Sequence, residues 1–368
     1  ILEPYQPDYD WHKESFDIRV SAISHASQRL LEKLGVWTAI SEEGAYAYQK
    51  MQVWDSTGEG KINFDAAEVG KDNLGHIIEN RVITKNLQQR LADFEQITYI
   101  YPFKTKQLEI FEDDREYNVL LSSAQGVELK SKLIVGADGA NSWLRQQANI
   151  DITSWAYQQT AIVTTVKTSN HPQYTCWQQF MPNGPLAFLP LNDHYSSIVW
   201  STTAKQAEQL IAMDDSSFNQ QLEQSFGSIL GNIEVCSERA AFKLRLRHAK
   251  QYVKPFLALI GDAAHTVHPL AGQGVNLGFL DASLLADELL LAIEQAKNPG
   301  SYSVLRKYER GRKTSNVTML ASMDLLKRLF SNSHPILSVL RNTGLNIAAS
   351  SSLSRKFFIN YAIGKRKN

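Results

Sequence analysis

Between residues 24 and 34 the apolar positions Ala26, Leu30, Leu31 and Leu34 recur at helical spacing. Ser24 is placed to cap the start of that helix and Gly35 its end. Residues 52–64 alternate instead: Val53, Trp54, Ile62 and Phe64 flank a Gly58/Gly60 turn, which predicts a hairpin. A second helix is predicted over 80–94 from Val82, Ile83, Leu87 and Leu91, followed by a short strand at 97–101. Residues 108–121 and 126–129 read as a meander that ends in the apolar strand 133–135. From 160 to 200 the text is β-rich, with turn residues at 182–185 and 192–193 dividing the runs. A short amphipathic helix is predicted over 217–226 and an apolar strand over 256–260. Helices are predicted over 273–294 and 302–329, the first burying Leu277, Leu280, Leu284, Leu285 and Leu289.

Helices and parallel-type strands thus occupy the two ends, and antiparallel strands the middle. That order predicts an α/β protein: a discontinuous nucleotide-binding domain interrupted by a sheet-rich insert. At 368 residues the chain has room for two or three such units.

Composition narrows the class of function. Lys+Arg and Asp+Glu both number 38, so the basic excess of a nucleic-acid binder is missing. Mean hydropathy is −0.29, and no run approaches the ~18 apolar residues of a spanning helix. The two cysteines, Cys176 and Cys236, form no CxxC pair, which points to a reducing compartment and no thiolate metal site. The first ten residues carry three acids and two prolines, unlike a secretory leader, so a cytoplasmic location is expected.

Four segments carry candidate chemistry. Gly136-Ala137-Asp138-Gly139 follows a strand and precedes a helix, with Ser142 and Arg145 one helical turn apart. Glycines at such a turn let backbone approach a phosphate or a sugar chain, and an acid there accepts from hydroxyls; an ordinary tight turn has the same look. Gly261-Asp262 likewise follows an apolar strand, and the loop Pro269 to Asn276 then runs into the long helix. Free N–H groups and the helix dipole at that point stabilise negative charge on a bound ring system. His265 and His268 stand at i and i+3 with no carboxylate or cysteine placed to complete a metal site, so a packed or hydrogen-bonded pair beside the loop is expected and no metal. Arg19 precedes the first helix and is suited to a pyrophosphate, or is a plain surface arginine. Glu3 ends an apolar Ile1-Leu2 pair and is either a ribose-binding acid or a surface acid.

Taken together, DIRVSAIS at 17–24, GADGANSWLR at 136–145 and GDAAHTVHPLAGQGVNLGF at 261–279 resemble the flavin monooxygenases of the p-hydroxybenzoate hydroxylase fold. Within them the chain is most similar to the ubiquinone-biosynthesis hydroxylases. LGVW at 34–37, LGHIIEN at 74–80 and WQQFMPNGPLAFLPL at 177–191 resemble especially the subgroup acting on 2-octaprenyl-3-methyl-6-methoxy-1,4-benzoquinol.

The resemblance implies a Rossmann-like FAD domain of residues 1–45, 75–154 and 253–330. It also implies a mostly antiparallel substrate domain of 46–74 and 155–252, and a C-terminal helical region, 331–368. It implies that Glu3 holds a ribose, Arg19 the FAD pyrophosphate, Asp138 and Gly139 the nucleotide contacts, and Asp262 the ribityl chain. Pro269, Gly272, Gln273, Gly274, Val275 and Asn276 would form the loop facing the isoalloxazine, and Asn80 or Gln88 would line the cofactor. The family begins with a strand and a G-x-G-x-x-G helix that this chain does not carry, so a truncated first βα unit and absent or weak FAD binding are expected of this chain.

The implied chemistry is hydroxylation of an electron-rich ring, with NAD(P)H as reductant and O2 as oxygen source. Trp177, Phe180, Phe188, Leu189, Pro190 and Trp200 are candidates to line the substrate pocket. The basic, partly apolar end, with Arg355, Lys356, Lys365, Arg366 and Lys367, suggests contact with the inner membrane surface or with a complex of ubiquinone-pathway proteins. A hydroxylase of another ring position or of a soluble phenol, a reductase without oxygenation, and a non-catalytic scaffold subunit remain open.

Overall fold

The structure is a computed structural model. It describes the chain apart from residues 7–8, 10, 12–14, 114–116, 267–273, 331–341, 343–349, 353–354, 357–358, 361–363 and 365–368. Helix α1 (His25–Lys33) begins as expected: Ser24 is extended and its hydroxyl accepts the Ser27 N–H. Gly35 then ends the helix at φ 76°, where a side chain would be strained. Helix α2 (Trp37–Gly44) escapes the periodicity reading because Ile40 is its one buried position, too few for an apolar stripe. Helix α3 (Asn80–Leu91) matches its prediction.

The strands Val20–Ile23, Gly75–Glu79 and Ala45–Tyr48 form a sheet with Gly75–Glu79 in the centre, and both pairings are antiparallel. Parallel strands were the expectation at this end. Continuous apolar runs such as Ile77-Ile78 arise whenever both faces of a strand are covered, and they do not encode direction. The 97–101 segment contributes one parallel bridge, Ile100 to Leu2, and Ile1 is about half exposed.

The middle of the chain builds a nine-stranded sheet. Its spine is the long strand Ile152–Thr168, paired with Ala240–Ala249 on one side and Tyr195–Thr203 on the other. Beyond the latter lie Gly184–Pro190, Thr175–Met181 and the hairpin Lys50–Asp55/Lys61–Asp65. One face is closed by α5 (Ala204–Ala212) and α6 (Asp215–Phe226), which bury Leu210, Phe218 and Leu222 against Phe188, Ile198 and Trp200. The other face, with Ala22, Ile77, Cys176 and Leu189 in contact, looks toward the three-stranded sheet.

The parallel pair expected of a nucleotide fold is present between Ile134–Gly136 and Leu257–Leu259, with Val253–Lys254 alongside. Each of the two strands runs straight into one of the glycine motifs. After Ile134–Gly136 comes the short α4 (Trp143–Gln147). After Leu257–Leu259 come α7 (Gly274–Glu294) and α8 (Tyr302–Phe330), whose Leu285, Leu305 and Tyr308 complete the core around the pair.

Candidate functional site

The two glycine turns lie side by side. Gly136 has no room for a side chain: a Cβ there would stand 2.8 Å from both Leu144 Cδ2 and Leu259 Cδ2. Gly139 is the opposite case, with φ 77° and open space where its Cβ would be. Asp138 is exposed beside it, and its Oδ2 accepts the Leu144 N–H at 3.0 Å. Ser142 and Arg145 do not face that opening. Ser142 is buried and caps α4 through the Arg145 N–H. Arg145 is also buried, and it clamps the two motifs together by donating to Ala263 O at 2.7 Å and to Ala140 O at 3.0 Å.

Gly261 adopts φ 58°, and α7 passes so close that a Cβ on Gly278 would lie 3.4 Å from the Gly261 Cα. Asp262 is exposed on this turn. Loss of solvation there raises its carboxyl pKa, against the opposing pull of His265, Arg19 and Arg247. Arg19 is exposed and, among the described residues, has no ion pair. Its backbone is fixed, since Asp17 Oδ1 accepts its N–H at 3.0 Å and its carbonyl accepts the Asn80 N–H at 2.8 Å. Arg247 was not anticipated from sequence. It donates to Ala140 O and to Asn141 Oδ1 from the strand beside His265–Thr266. Three guanidiniums therefore stand around the two turns, none paired with a carboxylate among the described residues.

The start of α7 is tied down by Asn276. Its Nδ2 donates to Ala22 O at 2.7 Å, and its Oδ1 accepts from Ser24 N at 3.0 Å and Ser27 Oγ at 2.7 Å. The Asn276 side chain is thus spent within the protein, and Val275 packs against the α1–α3 core. What Gly274, Val275 and Asn276 can offer a ligand is backbone. Pro269, Gly272, Gln273 and His268 lie outside the described residues. His265 is buried, with Nε2 2.6 Å from Asp281 Oδ2. No group of three or more His, Cys, Asp or Glu fit to hold a metal occurs among the described residues.

Glu3 stands apart from this cluster. Its N–H donates to Ile100 O, and its charge raises the Tyr99 hydroxyl pKa after burial has done so. Gln88 is engaged by the hydroxyls of Tyr9 and Tyr99, and Asn80 Oδ1 accepts from Ser21 Oγ at 2.7 Å.

Strand alternation divides the residues expected at the substrate pocket. Trp177, Phe188 and Trp200 point at α5 and α6, with Phe188 and Trp200 almost fully enclosed. Phe180 is on the opposite face, stacked on Phe330 of α8 at 3.9 Å. Leu189 shares the second face with Cys176 and Ala22, and Pro190 is buried at its strand's end. Because Ala22 is bonded to Asn276, this second face is the one adjoining the start of α7. At its margin Leu191 borders a cavity of about 480 Å³ walled also by Trp11, Phe16 and Val82, with the Glu79–Arg81 ion pair in its side.

FAD carries a pyrophosphate, several hydroxyls and a flat ring system. The unpaired Arg19, the exposed acids Asp138 and Asp262, and the bare backbone at Gly139 and Gly261 fit those parts by charge, hydrogen bonding and close approach. Comparison with known proteins agrees. Residues 10–321 match the FAD binding domain family. The chain is 40% identical over 348 residues to the 3-demethoxyubiquinol 3-hydroxylase of Escherichia coli K12, covering 95% of this chain and 88% of that one. It is 38% identical over 371 residues to the human mitochondrial ubiquinone biosynthesis monooxygenase COQ6, covering 90% and 79%. In fold it is similar to PqsL of Pseudomonas aeruginosa, described as a probable FAD-dependent monooxygenase, with a TM-score of 0.77 at 19% identity over 94% of this chain and 92% of the other.

Proposed function

From the chain's membership of the FAD-binding-domain family and, within it, of the ubiquinone-biosynthesis hydroxylases, we propose that this FAD-dependent monooxygenase hydroxylates the ring of a prenylated benzoquinol, with NAD(P)H as reductant. The observation that carries the proposal is the proximity of Arg19 to Asp262, beside a start of α7 that Asn276 anchors to Ala22, itself packed on the Leu189 face of the large sheet. FAD, when bound, supplies the redox and oxygen-activating chemistry. The protein's own part is to bind, orient and keep water out.

In this reading Arg19 meets the pyrophosphate charge, and Asp138 and Asp262 accept from cofactor hydroxyls. Glu3 is assigned the ribose, and the backbone of Gly274, Val275 and Asn276 the ring. The segments 1–45, 75–154 and 253–330 form the cofactor part, and 46–74 with 155–252 the substrate part. The substrate ring sits on the second sheet face near Leu189 and Leu191. Phe180 and Pro190 border it, and Trp177 and Phe188 stiffen it from behind. Cys176 is no nucleophile there, because burial raises its thiol pKa and keeps it neutral. The cavity beside Leu191 takes the first isoprene units against its apolar Trp11, Phe16 and Val82 side, its other side being lined by Glu43, Glu79 and Arg81.

A prenylated substrate resides in a bilayer, so the reading includes peripheral contact with the inner membrane or with other proteins of the pathway. No helix among the described residues is long and apolar enough to cross a membrane. Most of the basic C-terminal stretch lies outside the described residues, and Arg355 is paired with Glu68 at 2.8 Å. Deleting the residues after Ser350 should weaken cosedimentation with anionic liposomes; unchanged cosedimentation would remove the C-terminal contact from the reading.

The proposal is tested with FAD-loaded protein, NAD(P)H and a panel of demethoxy, demethyl and complete prenylated quinols, read by mass spectrometry. One oxygen added to a single quinol supports it. Oxidation of NAD(P)H with no heavier product would favour a reductase.

A further inference from the structure

Behind the Gly261-Asp262 turn lies a group of charged and polar side chains that the hydroxylation reading does not use. Asp281 of α7 is completely buried, as are Arg312 and Asn316 of α8 to within 1%. Asp281 Oδ1 accepts from Arg312 Nε at 2.6 Å and from Asn316 Nδ2 at 3.2 Å. Asp281 Oδ2 accepts the Gly261 N–H at 3.1 Å and lies 2.6 Å from His265 Nε2. Arg312 also donates to Asn316 Oδ1 at 2.7 Å, and Asn316 reaches the Tyr252 hydroxyl at 3.3 Å.

One carboxylate thus holds both ends of the turn that presents Asp262. Gly261 precedes Asp262 directly, and His265 closes the turn three residues later. The other oxygen of the same carboxylate ties that turn to α8. A buried ion pair is a weak way to bind two helices, because desolvation offsets most of the attraction and an apolar pair of like volume does as well. The α7–α8 seam also buries Leu285, Leu305 and Tyr308 in the same core, and a more exposed Lys307–Glu288 pair crosses it at 3.7 Å. Of the two charged pairs, only the fully buried one stands where the seam touches the Gly261–Asp262 turn.

We infer that Asp281, neutralised by Arg312, is a positioning residue that fixes the Gly261–Asp262 turn for the cofactor. The inference rests on reading Asp262 as a cofactor contact. It predicts two effects beyond loss of fold stability. Breaking the Asp281–Gly261 bond lets the turn relax and weakens FAD binding. Removing one charge of the pair leaves the other uncompensated behind the flavin site, so the flavin midpoint potential moves with the sign of the remaining charge.

The test compares FAD-loaded wild type with D281N, R312Q, L305A and D262N, measuring melting temperature, FAD affinity by flavin fluorescence, and flavin potential. L305A makes a cavity in the same seam without touching Asp281, and so isolates plain destabilisation. All three seam variants should melt lower. FAD affinity should fall at least tenfold in D281N and less than twofold in L305A. The potential should rise in D281N and fall in R312Q. Affinity in D281N no weaker than in L305A, or potentials shifting in the same direction, would overturn the inference. If D281N does not yield folded protein, R312Q alone decides by the sign of its shift. D262N separates the two claims: unchanged FAD affinity there sinks the cofactor role of Asp262, whereas a loss there without one in D281N sinks the positioning role alone.

Discussion

At the scale of single residues, the glycines of the first motif have different reasons to be glycine. Gly136 is filled in by Leu144 and Leu259, so an added methyl overpacks the core. G136A should cost about 1–3 kcal/mol in urea unfolding. Gly139 has open space and a left-handed backbone, so G139A should cost only ~1 kcal/mol of strain while crowding any ligand above it. A larger cost at Gly139 than at Gly136 would contradict this. Arg19 is exposed and unpaired among the described residues, so R19Q should change stability by less than about 0.5 kcal/mol while weakening FAD binding. A stability loss as large as that of a core variant would show that Arg19 is structural. The two glycine turns were legible in sequence because each is a local strand–glycine pattern. Arg247 was not, because its neighbours Ala140 and Asn141 are about a hundred positions away.

At the scale of elements, periodicity located most helices but not how strands share out their faces. The run 177–191 has apolar residues on both faces, so nothing in it says which aromatic lies on which side of the sheet. The structure decides through α5 and α6, which cover Trp177 and Phe188 and leave Leu189 on the other side. F188A should therefore destabilise by about 3–5 kcal/mol, with the KM for quinol little changed. L189M, which conserves volume, should keep stability within about 1.5 kcal/mol yet alter that KM. Thermal melts and initial-rate kinetics on both variants check the assignment, and the reverse pattern would exchange the two faces. Asp281 was legible in principle: it stands four residues after Leu277 and four before Leu285, on the buried stripe of α7, where an acid is out of place. Val304, Tyr308, Arg312 and Asn316 repeat the signal at the same spacing on α8.

At the scale of the whole molecule, stability should depend on acid through histidines buried in neutral form. Burial, reinforced by His25, lowers His76 to about 4, and burial with Lys313 and His265 nearby lowers His248 to about 4. Both titrate near 6.5 when unfolded, so the unfolded chain binds more protons between those values. Stability contributed by the neutral histidines is complete above about pH 6.5 and is lost as pH falls toward 4. Urea midpoints measured over pH 4–8 should show that fall, flattened in H76N; a pH-independent midpoint would contradict it. The strand His265–Thr266, which the sequence assigns to the nucleotide-binding part, is the edge strand of the large sheet, so the two parts share one sheet. The Gly261–Asp262 turn, the large sheet and its Leu189 face are thereby one continuous structure. The most direct test is a single turnover series under ¹⁸O2 with FAD-loaded protein, NAD(P)H and the demethoxy quinol. The account predicts one ¹⁸O atom in the quinol ring for each NAD(P)H consumed. Label recovered only as hydrogen peroxide or water, with the quinol unchanged, would contradict it.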